Sequence, residues 1–150
     1  MDTDVALDLC YRYVKQSALA GVNLPISSIP FFRHLYVADT EEQAREDTRA
    51  SMDLMQDMNQ FRGTFEIGSD ASHSLAEWRK TRVKTTPTYE QIWEKRAFFG
   101  TPASVIPRIR AIQQQGFETF GCNFQFGGMD HAKVMRSMEL FAKEVMPVFQ

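Results

Sequence analysis

The stretch Phe117-Glu118-Thr119-Phe120-Gly121-Cys122-Asn123-Phe124-Gln125-Phe126 alternates cleanly. Phe120, Cys122, Phe124 and Phe126 point one way, and Thr119, Gly121, Asn123 and Gln125 the other. Successive side chains of a strand face opposite sides, so one face is greasy and the other small and polar. Gly127-Gly128 ends the strand. Just before it stands a helix with clear punctuation. In Phe99-Gly100-Thr101-Pro102, Thr101 caps and Pro102 takes the first helical position, where a missing N–H does no harm. That helix is expected to run to about Gln115, to bend at Pro107 and to stop at Gly116. After the strand, a helix is expected from about Asp130 to Met146, with Val134, Met138, Phe141 and Val145 on one face and Pro147 closing it.

A second strand reads from Ile29 to Ala38. Phe31, Phe32, Leu35, Tyr36 and Val37 make both its faces apolar, which suits a strand covered on each side, as in a parallel sheet. Arg33 and His34 are the exceptions. The next helix opens on Thr40, with Gln43 at the capping-box spacing and Glu41 and Glu42 at the positive helix start. Ala44, Met52, Met55 and Met58 give it an apolar stripe out to about residue 60. Residues 4–20 form another helix, with Val5, Leu9, Tyr13 and Val14 on its apolar face and Gly21 as a left-handed cap. Residues 88–98 return to helix through Tyr89, Ile92, Trp93 and Phe98. Strands alternating with helices argue for an α/β fold with parallel strands. Two strands alone cannot shield both their edges, so either a partner covers them or they belong to a larger fold.

Composition narrows the function classes. The 150 residues are 43% hydrophobic, enough for one domain with a real core. Seventeen basic against 19 acidic side chains leave a net charge of −2, a poor balance for gripping nucleic-acid phosphates. No run of residues is long and apolar enough to span a membrane, and the acidic start Met1-Asp2-Thr3-Asp4 lacks the pattern of a secretory signal. Cys10 and Cys122 make no disulfide framework and suit free thiols in a reducing cytoplasm. His34, His73 and His131 have no metal-ligand spacing, and His34 reads as a satisfied core histidine.

Two stretches carry a resemblance. One is Phe99-Gly100-Thr101-Pro102, followed by Gly116, a strand, Gly127-Gly128, and Ser137-Met138-Glu139-Leu140-Phe141-Ala142-Lys143-Glu144-Val145-Met146-Pro147. The other is Tyr36-Val37-Ala38-Asp39-Thr40-Glu41-Glu42-Gln43-Ala44. Together they resemble the C-terminal part of the bacterial-luciferase-like flavin monooxygenases. The resemblance implies a partial TIM barrel: the last two parallel strands with surrounding helices, predominantly helical, in one domain over residues 1–150. A complete barrel has eight strands and about 250 residues. The implied cofactor is reduced FMN or a deazaflavin, used with dioxygen on a small organic substrate. The chain departs from the family at Ala103-Ser104, where an acidic residue is common after Gly-Thr-Pro.

Site residues follow from strand ends and from one loop. Active sites of barrels form at the carboxyl ends of strands, which nominates Asn123 and Gln125 for flavin contact and Gly127 for close approach. Tyr36 and Ala38 hold the equivalent end of the earlier strand and are candidates for a substrate pocket. Residues 61–87 break every period and read as a long lid-like loop, in which the basic cluster with Arg79 and Lys80 could meet a phosphate. A rival reading makes the chain a non-catalytic, truncated module that buries its open strand edges in a homo-oligomer.

Overall fold

The computed structural model describes residues 1–63, 80 and 87–149. Among the described residues the chain is α/β, with three parallel strands and helices on both faces. In chain order these are α1 (Thr3–Leu19), β1 (Phe31–Val37), α2 (Glu41–Gly63), α3 (Tyr89–Lys95), β2 (Phe98–Gly100), α4 (Pro102–Gln114), β3 (Phe120–Asn123) and α5 (His131–Leu140). A π-helical turn over Phe141–Val145 and a 3₁₀ turn over Met146–Phe149 follow α5.

The sheet order is β2-β1-β3. Phe31 to His34 of β1 pair in parallel with Phe120 to Asn123 of β3, so the two expected strands run side by side in one direction. The other edge of β1 holds a third strand. Leu35, Tyr36 and Val37 pair with Phe98, Phe99 and Gly100 of β2. The sequence expectation put residue 98 at the end of a helix; that helix stops at Lys95 instead. The three residues Phe98–Gly100 are wholly buried, and partnership with β1 outweighs the local helical period. The sheet is open, with its first strand in the middle.

Burial follows the alternation of β1. Tyr36 joins Ala44 and Met52 of α2, Tyr89 and Ile92 of α3, Phe99 and Phe126 in one cluster. Phe31, Leu35 and Val37 join Phe98, Val105, Ile109 and Ile112 of α4, Phe117 and Val145 in the other. Helix α1 docks on this second cluster through Ala6, with Leu7 and Cys10 beside it. The face expected to be buried is turned out: Val5, Leu9 and Tyr13 are 47%, 46% and 59% exposed. The helix carries two apolar stripes, and the sheet took the one with small side chains, which allow closer approach.

Several expected punctuation marks are in place. Gly21 has φ +83° and closes α1, with the Val22 N–H reaching back to the Ser17 carbonyl at 2.8 Å. Thr40 Oγ1 accepts from the Gln43 N–H at 3.1 Å. Thr101 caps α4 by accepting from Ser104 N–H, with Pro102 next to it. Asp130 caps α5 through Lys133 N–H at 3.1 Å. The final helix is shorter than its periodicity suggests, because the backbone widens into the π turn after Leu140.

One buried polar bond ties α5 to the central strand: the Ser137 hydroxyl accepts from the Val37 N–H at 2.7 Å, with Ser137 1% exposed. Ser137→Ala leaves that N–H without a partner in the core. The expected loss is about 1–3 kcal/mol, read as a lower urea midpoint at unchanged slope.

Candidate functional site

Two cavities flank β1. At its carboxyl end, a cavity of about 260 Å³ is lined by Tyr36, Ala38, Asp39, Gln43, Arg136 and Lys143 among others. One of its polar lining groups is tied to the fold behind it. The Tyr36 hydroxyl donates to Asp47 Oδ2 at 2.8 Å, and Lys133 Nζ holds Asp47 Oδ1 at 2.5 Å. Burial, then the hydrogen bond to Asp47, push the Tyr36 phenol well above its ordinary pKa, so it stays protonated and donating. The Gly-Thr-Pro segment joins the same end of β1, where the Gly100 carbonyl accepts from the Ala38 N–H at 3.0 Å. Glu41 Oε1 accepts from the Thr101 N–H at 3.0 Å and from its hydroxyl at 3.2 Å. Burial alone would raise the Glu41 pKa; hydrogen bonds from Ser104 and Thr101 outweigh it and hold the carboxyl below the usual range. Gly100, at φ +139°, has no room for a Cβ because Ser104 Oγ and the Glu41 carboxylate occupy that space. The carboxylate that the Ala103-Ser104 sequence lacks at this helix start is supplied by Glu41 from α2.

The larger cavity, about 550 Å³, lies beside the first half of β1. Arg33 and His34 line it with Cys122 and Asn123 of β3, Met52, Met55 and Gln56 of α2, and Ile92 of α3. Asn123 stands opposite His34 in the parallel register. The Arg33 guanidinium lies 4.3 Å from the centre of the Phe31 ring. Its Nε donates to Thr3 Oγ1 at 3.3 Å and its Nη1 to the Phe32 carbonyl at 3.1 Å. Its Nη2 is buried without a hydrogen-bond partner among the described residues, and so is His34 Nδ1. The His34 ring meets Phe126 edge-on, with centroids 5.2 Å apart. Burial lowers the pKa of both Arg33 and His34, and the Arg33 charge lowers that of His34 further. Burial also pushes the Cys122 thiol up to about 11, which leaves it a wall group and not a nucleophile.

The residues nominated from sequence therefore fall in different places. Asn123 lines the larger cavity, and Tyr36 and Ala38 the smaller. Gln125 donates to the Met129 carbonyl at 3.3 Å, tying down the turn after β3. Gly127, at φ +53°, makes its close approach to the Ser51 backbone, where a Cβ would collide with the carbonyl. Lys80 is helical and exposed. Arg79 and nearly all of the lid-like segment 61–87 lie outside the described residues, save helical 61–63, Lys80 and Pro87. Arg33 and His34 went unassigned to the site, although two polar residues in an otherwise apolar strand were the available signal. Asp47, Lys133 and Glu41 gave none, since their partners lie far along the chain. Among the described residues, no group of three or more His, Cys, Asp or Glu side chains could hold a metal ion. Among them, too, no helix is long and apolar enough to cross a membrane.

No protein-family model matches the chain, and no curated protein sequence matches it. Its fold is similar to that of the monooxygenase RslO1 from Streptomyces bottropensis, known from a crystal structure. The TM-score is 0.60 at 20% identity, over 96% of this chain and 38% of that one. The two share a fold, and this chain spans well under half the length of its neighbour.

The buried imidazole sets a pH dependence. Folded His34 ionises below its ordinary value of about 6.5, so under that pH the unfolded chain takes up a proton that the folded chain refuses. Its contribution is complete above about pH 6.5 and is lost as pH falls toward the folded pKa. Urea midpoints are expected to drop between pH 7 and 5, and His34→Gln to flatten that slope.

Proposed function

We propose that the chain is the C-terminal portion of a flavin-dependent monooxygenase of the luciferase-like kind, acting on a small organic substrate. The observation that carries this is the larger cavity, whose walls are about equally apolar and polar, and on which Arg33 and His34 each keep one buried nitrogen without a hydrogen-bond partner among the described residues. Its volume falls within the usual range for small-molecule and cofactor sites, roughly 300–1,000 Å³. The fold shared with a monooxygenase and the Gly-Thr-Pro and Ser-Met-Glu-Leu-Phe segments support the same reading.

The residues present fit a flavin. A flat ring system with a polar edge needs an apolar slot closed by hydrogen-bond donors at one end. Met52, Met55 and Ile92 form apolar wall, while Arg33, His34 and Asn123 form the polar wall. Reduced flavin, when bound, supplies the electrons that activate dioxygen for oxidation of the substrate. Arg33 would hold its fixed charge beside the polar edge, which favours an electron-rich ring. The Asn123 amide can donate beside it. The methionine and isoleucine wall excludes water, which strengthens both contacts. Tyr36 and Ala38, at the carboxyl end of β1, remain the candidates for the substrate side. The lid role of residues 61–87, the phosphate role of Arg79 and Lys80 and the barrel of the full enzyme belong to this same reading.

Fluorescence titration of FMN with the purified chain tests it. Saturable quenching is expected, weakened about tenfold by Arg33→Met, equivalent to about 1.4 kcal/mol. Absence of quenching for FMN, or quenching indifferent to Arg33→Met, would count against the assignment.

A further inference from the structure

Helix α1 carries an apolar ridge that the fold leaves uncovered. Val5, Leu9 and Tyr13 are spaced by four residues and stay about half exposed. Single exposed apolar side chains are ordinary. Three in succession at helical spacing form a continuous ridge. The helix packs on the sheet through Ala6, with Leu7 and Cys10 beside it, on the face adjoining the ridge.

The charges along the ridge are sorted by sign. From Thr3 to Tyr11 the helix has Asp4 and Asp8 and no basic residue; from Arg12 to Leu19 it has Arg12 and Lys15 and no acidic one. Spacings of four, four and three keep all four on one flank of the ridge. Asp8 and Arg12 already meet within the helix at 2.8 Å, yet their side chains remain 55% and 71% exposed. Arginine has further N–H donors to offer.

We propose that this face docks α1 of a second copy of the chain, with the two helices antiparallel about a two-fold axis. In an antiparallel pair the same flank of each helix meets, with its ends reversed. Asp8 of one copy then faces Arg12 of the other, and Asp4 faces Lys15. The Val5 end of one ridge meets the Tyr13 end of the other, and the Leu9 side chains meet near the axis. A parallel pair would set each charged flank beside the other helix's opposite flank, and the four charges would find no partners there. The contact is isologous, so it closes at a dimer and does not propagate. The ridge is only about 12 Å long at 1.5 Å per residue. The dimer is therefore a concentration-dependent one at the small end of interfaces, and salt weakens it.

Sedimentation velocity of the whole chain at low salt reads this directly. A dimer that dissociates on dilution and on adding salt is expected, and Leu9→Glu is expected to weaken it at least tenfold. The decisive experiment uses two charge-reversed chains, one with Asp4→Lys and Asp8→Lys, the other with Arg12→Glu and Lys15→Glu. Each alone is expected to be monomeric with the parent's circular dichroism, and an equal mixture to form a one-to-one dimer. A parent chain that stays monomeric overturns the proposal. So do charge-reversed chains that still self-associate as the parent does, or two folded variants that fail to pair when mixed.

Discussion

The central strand depends on being held at both edges and both faces at once. β1 pairs with β3 through its first half and with β2 through its second. Leu35, Tyr36 and Val37 are no more than 2% exposed. Two aromatic stacks reach across β1 from β2 to the β3 segment. Phe98 stacks on Phe120 in one cluster, with centroids 5.3 Å apart, and Phe99 stacks on Phe126 in the other, also at 5.3 Å. Such pairs add roughly 0.5–1.5 kcal/mol each beyond the area they bury. The order β2-β1-β3 lets adjacent residues of one short strand, Phe98 and Phe99, brace opposite faces of the sheet. Helices must then cover both faces, which is why α2 and α3 lie on one side and α1 and α4 on the other.

Much of this framework was legible in the sequence, because its signals are local. The alternation from Phe117 to Phe126 and the apolar run from Ile29 to Ala38 each marked a strand. Their parallel pairing followed from the helices between them. Thr101, Pro102 and Gly21 act where they were expected to act. What the sequence hid was decided by distant partners. Phe98–Gly100 lies within a helical period, and only the free edge of β1 makes it a strand. The orientation of α1 was undetermined, since Val5-Leu9-Tyr13 and Ala6-Cys10-Val14 are both plausible stripes. Gly127 was nominated for close approach at a ligand site, and the close approach seen here is to the Ser51 carbonyl. The strand order was also hidden, since it depends on which edge of β1 the short third strand takes.

The two cavities differ in one respect that bears on function. Open α/β sheets bind ligands at the carboxyl ends of their strands, and the smaller cavity lies there. The phenol of Tyr36 on its wall already donates to Asp47, which Lys133 also holds. A group satisfied within the folded chain is accounted for by stability alone. The larger cavity is the reverse. A guanidinium nitrogen and an imidazole nitrogen are buried there without partners among the described residues, at a cost of about 1–3 kcal/mol for a neutral group and more for a charged one. Apolar side chains at the two positions would avoid that cost. A buried guanidinium with one nitrogen left without a partner among the described residues therefore weighs more heavily as a sign of a ligand than strand-end geometry does. That is why the proposed flavin is set on the Arg33 side of β1, and the strand-end cavity is left to the proposed substrate.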